Sequence, residues 1–352
     1  MKLSICMIAK NVEKHIGRCL DSIPSFCEVI LVDTGSTDRT IDIAKQYSNV
    51  RLSYYPWTSN FSEARNESLT QATGTHIFVI DTDECFLEDT YTQITRYITS
   101  TPDEPAAIVI NNIDGNQIDT VHRMVRLFPN KAEFRFFGAV HEKLYKNSQV
   151  AKFRMSDIAI NHFGYNHTDY SENKYTFYKD LYQKELLKNE ADGYIWYQLG
   201  KLETAVQHYE EACGAFLQAL QHADTPSLYH AAMIVEFSKV LHKVGLVEDA
   251  IMMLRSGKEQ YKDYPDISFQ LGTLYMEAGN VELMESSYLE ALRIGDTTKY
   301  STTPGVGSYL AAYNLGIYYE LANNLDRAKY YYEKIRYLYK PAAERLIKIE
   351  EG

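Results

Sequence analysis

The stretch Val29-Ile30-Leu31-Val32-Asp33-Thr34-Gly35-Ser36-Thr37-Asp38 sets four apolar residues before an acid, a glycine and a run of small polar side chains. It reads as a buried strand that ends in a turn and hands over to a helix, with Thr37 or Asp38 as N-cap. The same grammar recurs on either side. Leu3 to Ala9 precedes Lys10-Asn11, and His76 to Ile80 precedes Asp81-Thr82-Asp83-Glu84. Val50 to Tyr55 and Ala106 to Ile110 are further short apolar runs. Val12 to Ser22, Asp38 to Tyr47 and Phe61 to Ala72 carry apolar residues at helical spacing, the last with Ser59 or Asn60 as cap. Strands alternating with helices predict a Rossmann-like α/β domain with a mostly parallel sheet. Phe134 to about His167 is irregular and aromatic, and is expected to complete this domain and roof a cleft.

After about Asp169 the pattern changes to long tyrosine- and leucine-rich helical stretches with an internal repeat. Gln207-x4-Ala212, Gly245-x4-Ala250, Gly279-x4-Met284 and Asn323-x4-Ala328 align as the turns of four helix-turn-helix units, at steps of 38, 34 and 44 residues. The middle step equals the tetratricopeptide period. Leu199-Gly200, Leu271-Gly272 and Leu315-Gly316 lie eight residues before a turn, where a small residue lets paired helices approach and a large one, Phe216, Tyr288 or Tyr332, fills the gap. Gly295 to Gly307 reads as a surface loop that absorbs the long last step, and Pro341 to Gly352 as a capping helix. The expected division is thus 1–168 for the α/β domain and 169–352 for an all-α, tetratricopeptide-type superhelix.

With 352 residues, 45% hydrophobic and 24% charged, the chain has the composition of a folded protein of two ordinary domains. A net charge of -11 without any basic block disfavours nucleic acid and anionic lipid as partners. The five cysteines are scattered and form no Cys-x-x-Cys pair, so they read as reduced and mostly buried. The apolar start from Leu3 to Ala9 is too short for a signal peptide, no run reaches the ~20 residues of a membrane span, and a cytoplasmic location is expected.

Three polar clusters follow strands: Ala9-Lys10-Asn11, Asp33 to Asp38, and Asp81-Thr82-Asp83-Glu84. In an open α/β sheet the carboxyl ends of parallel strands form the ligand crevice, so these clusters should converge. An Asp-x-Asp triplet alone is a weak signal; at a strand end it can place one oxygen on a hard divalent cation and another on a ribose hydroxyl. Mg²⁺ or Mn²⁺ held this way would neutralise a diphosphate leaving group. Asp33 suits a nucleobase or ribose, whereas Ser36 and Asp38 serve the turn. Arg65 reaches either a base or phosphate or forms a surface ion pair. Of Arg123 and Arg126, on a strand-like stretch, one faces the diphosphate or both line an exposed face. Trp57 is either core or a sugar-stacking platform.

Ile8-Ala9-Lys10-Asn11, Val32 to Asp38, Ala64-Arg65-Asn66 and Ile80 to Glu84 together resemble the family 2 glycosyltransferases of GT-A fold, over roughly residues 3 to 165. The resemblance implies inverting transfer of a hexose of the glucose or N-acetylglucosamine type from a UDP-sugar. Asp33 would lie near the uracil, Asp81 near the ribose and Asp83 on the metal, with Ala9, Asn11, Arg65, Thr82 and Arg126 completing the donor site. Inversion needs a general base on the acceptor. Phe137-Gly138-Ala139-Val140-His141-Glu142-Lys143 resembles the Gly-x-Val-His-Glu element of a bacterial subgroup that carries tetratricopeptide repeats, implying Glu142 as base with His141 beside it, and His162 as a further metal or diphosphate ligand.

That subgroup includes transferases acting on peptides and proteins, so the expected acceptor is a Ser, Thr or Cys side chain of a polypeptide held partly by the repeats. The repeats could instead join two subunits as a homodimer. Tyr178, Tyr194, Tyr197, Tyr209 and Tyr229 would suit either role if exposed, and inter-repeat packing if not. Transfer to a cell-envelope saccharide and a non-catalytic repeat scaffold are the alternatives.

Overall fold

A computed structural model describes residues 2–164, 172–223 and 227–351. The chain forms two compact units, Met1–Glu190 and Ala191–Gly352. The expected boundary at 168 lies outside the described residues, as does Tyr165. The helix after it belongs to the first unit.

In chain order the first unit runs β1 (Leu3–Ala9), α1 (Ile16–Ser22), β2 (Glu28–Asp33), α2 (Thr40–Ala44), β3 (Val50–Tyr54), α3 (Phe61–Gln71), β4 (His76–Val79), β5 (Glu84–Phe86), α4 (Thr90–Ser100), β6 (Ala106–Asp114), β7 (Gln117–Pro129), β8 (Phe134–Phe137), β9 (Lys143–Lys146), β10 (Gln149–Val150), β11 (Arg154–His162) and α5 (Glu172–Lys188). Among the described residues an eight-stranded sheet has the order β3-β2-β1-β4-β7-β6-β11-β5, and β10-β9-β8 form a small second sheet. Strands β1 to β4 are mutually parallel, and β11 runs parallel to β6. β7 is antiparallel to both β4 and β6, and β5 is antiparallel to β11, so the sheet is mostly parallel with two reversed strands. One face is packed by Ile5, Met7, Val29, Leu31, Phe78 and Ile108 beneath α1 and α4. The other is packed by Cys6, Ile30, Ile77, Val79 and Phe128 against Leu69 of α3 and Phe134 and Phe136 of β8. The alternate apolar residues of each central strand therefore fill both layers, which is why these strands are continuously apolar. Asn60 caps α3, accepting from the Ser62 and Glu63 backbone N–H groups.

The second unit consists of α6 (Gly193–Ala205), α7 (Tyr209–Gln221), α8 (Leu228–Lys243), α9 (Val247–Gln260), α10 (Pro265–Glu277), α11 (Val281–Ile294), α12 (Tyr309–Leu321), α13 (Leu325–Ile335) and α14 (Lys340–Glu351). The four aligned turn residues Gln207, Gly245, Gly279 and Asn323 all take positive φ, from 58° to 83°, the left-handed step that lets the chain reverse between helices. A Cβ on Gly200, Gly272 or Gly316 would run into Phe216, Tyr288 or Tyr332, so small-against-large packing sets each helix pair. Tyr197 is buried, and Tyr194, Tyr209 and Tyr229 pack against the same core, so these tyrosines belong to repeat packing. Residues 295–307 are better anchored than a surface loop: Tyr300, Thr302 and Val306 are buried. Asp266 accepts from Thr302 Oγ1 at 2.6 Å and from Thr303 N at 3.2 Å. The five cysteines are unpaired, four of them buried, and among the described residues no helix is long and apolar enough to cross a membrane.

Candidate active site

The parallel topology brings the ends of β1, β2, β4, β6 and β11 to one edge of the sheet. Ala9 is buried, and its carbonyl accepts from both Thr34 N at 2.9 Å and Thr34 Oγ1 at 3.1 Å. Asn11, exposed and at φ 53°, accepts at Oδ1 from Thr37 N at 2.7 Å, while its own N–H donates to Ser36 Oγ at 2.9 Å. Asp33 is buried, and its carboxylate accepts from the backbone N–H groups of Gly35 and Ser36, each at 3.0 Å. Asp33 therefore shapes the turn as well, a task the sequence reading left to Ser36 and Asp38. Asp38 accepts from Thr40 N and Glu13 N, both at 3.0 Å, tying the turn to the loop after β1.

Deeper in the edge, two buried arginines hold three carboxylates. Arg65, one turn into α3, donates from Nε to Glu142 Oε1 and from Nη2 to Asp81 Oδ1 at 3.2 Å. Arg126 of β7 donates to Asp81 Oδ2 at 2.6 Å and to Glu84 Oε1 at 2.7 Å. The other Glu84 oxygen accepts from Asp81 N at 2.8 Å. Desolvation would raise the Asp81 pKa, but Arg126 and Arg65 overcome it and hold this carboxyl well below the usual range. Glu84 goes the other way: burial pushes it up to about 7 against the pull of Arg126. Among the described residues, Arg65 Nη1 and Arg126 Nε are buried without a hydrogen-bond partner. Such orphaned donors cost about 1–3 kcal/mol each unless an acceptor supplies the bond. Arg123 is not part of this cluster; its guanidinium donates to the carbonyls of Ala107 at 3.2 Å and Ser156 at 2.7 Å.

Antiparallel pairing of β11 with β5 sets His162 opposite Glu84 and brings it to Asp83, with Nε2 3.4 Å from Asp83 Oδ2. His162 Nδ1 pairs with Asn112 Oδ1 at 2.8 Å, and the Asn112 amide reaches Thr120 Oγ1 at 2.8 Å and His122 Nδ1 at 3.1 Å. Burial lowers the His162 pKa, but Asp83 and its acidic neighbours outweigh this and leave it raised. Phe163 N donates to the Asp83 carbonyl at 2.9 Å, and Arg18 lies 3.8 Å over the Phe163 ring. Gly164 sits directly on the pair: a Cβ there would be 2.8 Å from Asp83 Cγ and 3.0 Å from His162 Nε2. Thr82, between the two aspartates, is buried.

Glu142 is presented by the turn between β8 and β9. Gly138 there has φ 110° and His141 φ 48°. Phe61 N donates to the Ala139 carbonyl at 2.8 Å, and Asn66 clamps β8 through Phe136 N and O, both at 2.8 Å. His141 Nε2 shares a 2.7 Å hydrogen bond with the Tyr182 hydroxyl of α5. Trp57 packs on Phe61 at 4.8 Å and on Phe177 at 6.3 Å. Glu84, Asn112, Gly164 and Tyr182 were not assigned from sequence. The third acid of the 81–84 cluster and the amide pair Asn111-Asn112 at a strand end were visible signals for two of them; Tyr182 and Gly164 gave none.

Residues 4–193, more than half of the chain, match the sequence profile of Glycosyl transferase family 2. The chain belongs to this family. It is 32% identical over 176 residues to a TPR repeat-containing protein of Synechococcus elongatus, an alignment covering 47% of this chain and 42% of that protein. It is 30% identical over 166 residues to the SPbeta prophage-derived glycosyltransferase SunS of Bacillus subtilis, covering 45% of this chain and 39% of SunS. The chain therefore spans about two fifths of the length of these curated relatives. Among solved structures, S. aureus TarS 1-349 in complex with UDP-GlcNAc aligns with TM-score 0.37 and 15% identity over 83% of this chain and 91% of that one. The family 2 domain expected from the sequence is thus present, and it is followed by tetratricopeptide-type helix pairs.

Proposed function

We propose that the chain is an inverting glycosyltransferase that moves a hexose of the glucose or N-acetylglucosamine type from a UDP-sugar to a Ser, Thr or Cys side chain of a peptide or protein. The observation that carries this reading is the convergence at one sheet edge of Asp33, Asp81, Asp83, His162, Arg65, Arg126 and Glu142, from segments far apart in sequence. Asp33 and its turn, with Ala9 and Asn11, form the nucleoside wall. Among the described residues, Arg65 and Arg126 each keep a buried N–H without a hydrogen-bond partner, a donor pair suited to an oxyanion or hydroxyl of the donor.

The residues also fit a divalent cation. Asp83 and His162 supply a carboxylate and an imidazole 3.4 Å apart, Asn112 orients the imidazole from behind, and Gly164 leaves open the space that a side chain would fill. Among the described residues no three His, Cys, Asp or Glu side chains converge as a metal cage, so donor oxygens or water would complete the shell, as suits Mg²⁺ or Mn²⁺. When bound, the cation neutralises charge on the departing diphosphate. Glu142, oriented by Arg65, takes the proton of the acceptor as it attacks the anomeric carbon, and His141 lies beside it.

Calorimetric titration of UDP into the protein with Mn²⁺, with EDTA and in Asp83→Ala tests the donor site: binding should need both the metal and Asp83. No binding under any condition overturns the assignment. A second acceptor class follows from the 27% identity to S. aureus TarS, a poly(ribitol-phosphate) beta-N-acetylglucosaminyltransferase, over 34% of this chain. Removing residues 191–352 separates the two. A polypeptide recruited by the repeats loses transfer while donor hydrolysis persists, and a saccharide acceptor keeps both.

A further inference from the structure

The geometry points to Tyr182 of α5 as the residue that positions the base-bearing turn, through its hydrogen bond to His141. This rests on the reading of Glu142 as the base. His141 holds a left-handed backbone, φ 48°, immediately before Glu142, in a turn that also contains Gly138 at φ 110°. A non-glycine residue in that region persists only where its surroundings over-determine it. Three ties do so here. Phe61 N fixes Ala139, Arg65 fixes the Glu142 carboxylate, and the Tyr182 hydroxyl meets His141 Nε2 at 2.7 Å with the two rings stacked at 5.5 Å.

The first two ties come from α3, and the third comes from a helix outside the sheet. Tyr182 is itself buried and held by a line of aromatic contacts. It meets Tyr178 at 6.2 Å, Tyr178 meets Phe177 at 5.4 Å, Phe177 meets Trp57 at 6.3 Å, and Trp57 meets Phe61 at 4.8 Å. Since Phe61 is also the backbone donor to Ala139, the contacts close a ring around the turn, and the Tyr182–His141 bond is its polar link. Removing that hydroxyl opens the ring at one point and takes this hydrogen bond from the imidazole, while the donor-side residues keep their partners. Tyr182 touches no reacting atom; it sets where Glu142 stands.

The test is Tyr182→Phe in the full chain, read three ways. UDP binding with Mn²⁺ should match wild type, and kcat for release of UDP from a UDP-hexose should fall about 10- to 100-fold with KM for the donor unchanged, the scale expected when a catalytic group is displaced by about 1 Å. The imidazole ¹⁵N resonances of His141, assigned with His141→Gln, should move in Tyr182→Phe while those of His162 stay. Unchanged kcat in a folded variant that binds UDP, or unmoved His141 resonances, overturns the proposal. Failure of the wild type to bind UDP removes the donor reading instead, and the imidazole resonances then still decide whether Tyr182 holds His141.

Discussion

Arg126 donates a single Nη2 group to both Asp81, at 2.6 Å, and Glu84, at 2.7 Å, so one buried cation serves two carboxylates of the same strand-end cluster. Replacing it with Met takes the ion-pair partner from buried Glu84 and leaves the partly exposed Asp81 to Arg65, and removal of one partner of a buried ion pair typically costs about 3–5 kcal/mol. The expected result is a loss of that size in the denaturant-induced unfolding of the first unit, with Arg126→Lys recovering part of it. A loss below about 1 kcal/mol would mean that the cluster is solvated.

Gly164 provides a sharper probe of the proposed cation site. A Cβ there meets Asp83 Cγ at 2.8 Å and His162 Nε2 at 3.0 Å, so Gly164→Ala must push the two groups apart. Mn²⁺-dependent UDP binding should weaken about 10- to 100-fold, as disturbed metal ligation does, while the unfolding midpoint stays near wild type. Calorimetry with and without Mn²⁺ distinguishes this from a general loss of donor affinity.

In the repeats, a Cβ on Gly272 would lie 2.7 Å from Tyr288 Cε1, and Tyr288 is fully buried. Gly272→Ala should destabilise the second unit by about 1–3 kcal/mol through overpacking. Combined with Tyr288→Leu it should cost less than the sum of the two single variants, because the smaller side chain gives the methyl room. Strict additivity would show that the helices separate instead.

Asp266 makes the stability of the repeat unit depend on pH. Burial raises its carboxyl from 3.8 to about 6, against the hydrogen bonds from Thr302 and Thr303. The folded pKa lies above the unfolded one, so the stabilisation is complete below about pH 4 and is lost as pH rises through 6. The difference corresponds to roughly 3 kcal/mol. Asp266→Asn cannot titrate, so wild type should lose about that much relative to the variant between pH 4 and pH 7.5 in chemical denaturation. Parallel pH profiles would refute the assignment.

Much of this architecture was readable in the sequence because it is local. Apolar runs gave β1 to β4, and the aligned Gln207, Gly245, Gly279 and Asn323 proved to be the positive-φ turns of four helix pairs. The helix starts were less legible: α1 begins at Ile16 and α2 is only five residues long, since their first turns are replaced by the Asn11, Glu13 and Asp38 loop bonds. The alternation around Arg123 and Arg126 reads as a strand, but the place and reversed direction of β7 were hidden, because nothing in its own pattern tells where in the sheet it inserts. The same limit applied at the site. Asp81 and Asp83 announced themselves at a strand end, whereas Glu84 with Arg126, Asn112 with His162 and Tyr182 with His141 meet across 42, 50 and 41 residues. Such pairs exist only once the sheet order is known.

That sheet order has a consequence for synthesis. β7 fills the slot beside β4, yet 37 residues separate Val79 from Gln117. A chain emerging from the ribosome can pair β1 to β4 early, but it carries β4, with Ile77, Phe78 and Val79, as an open edge until residue 129 is free to zip against it. An exposed edge of this kind pairs readily with other chains. The interval between those two strands is the period in which the nascent first unit most needs dilution or a chaperone's cover.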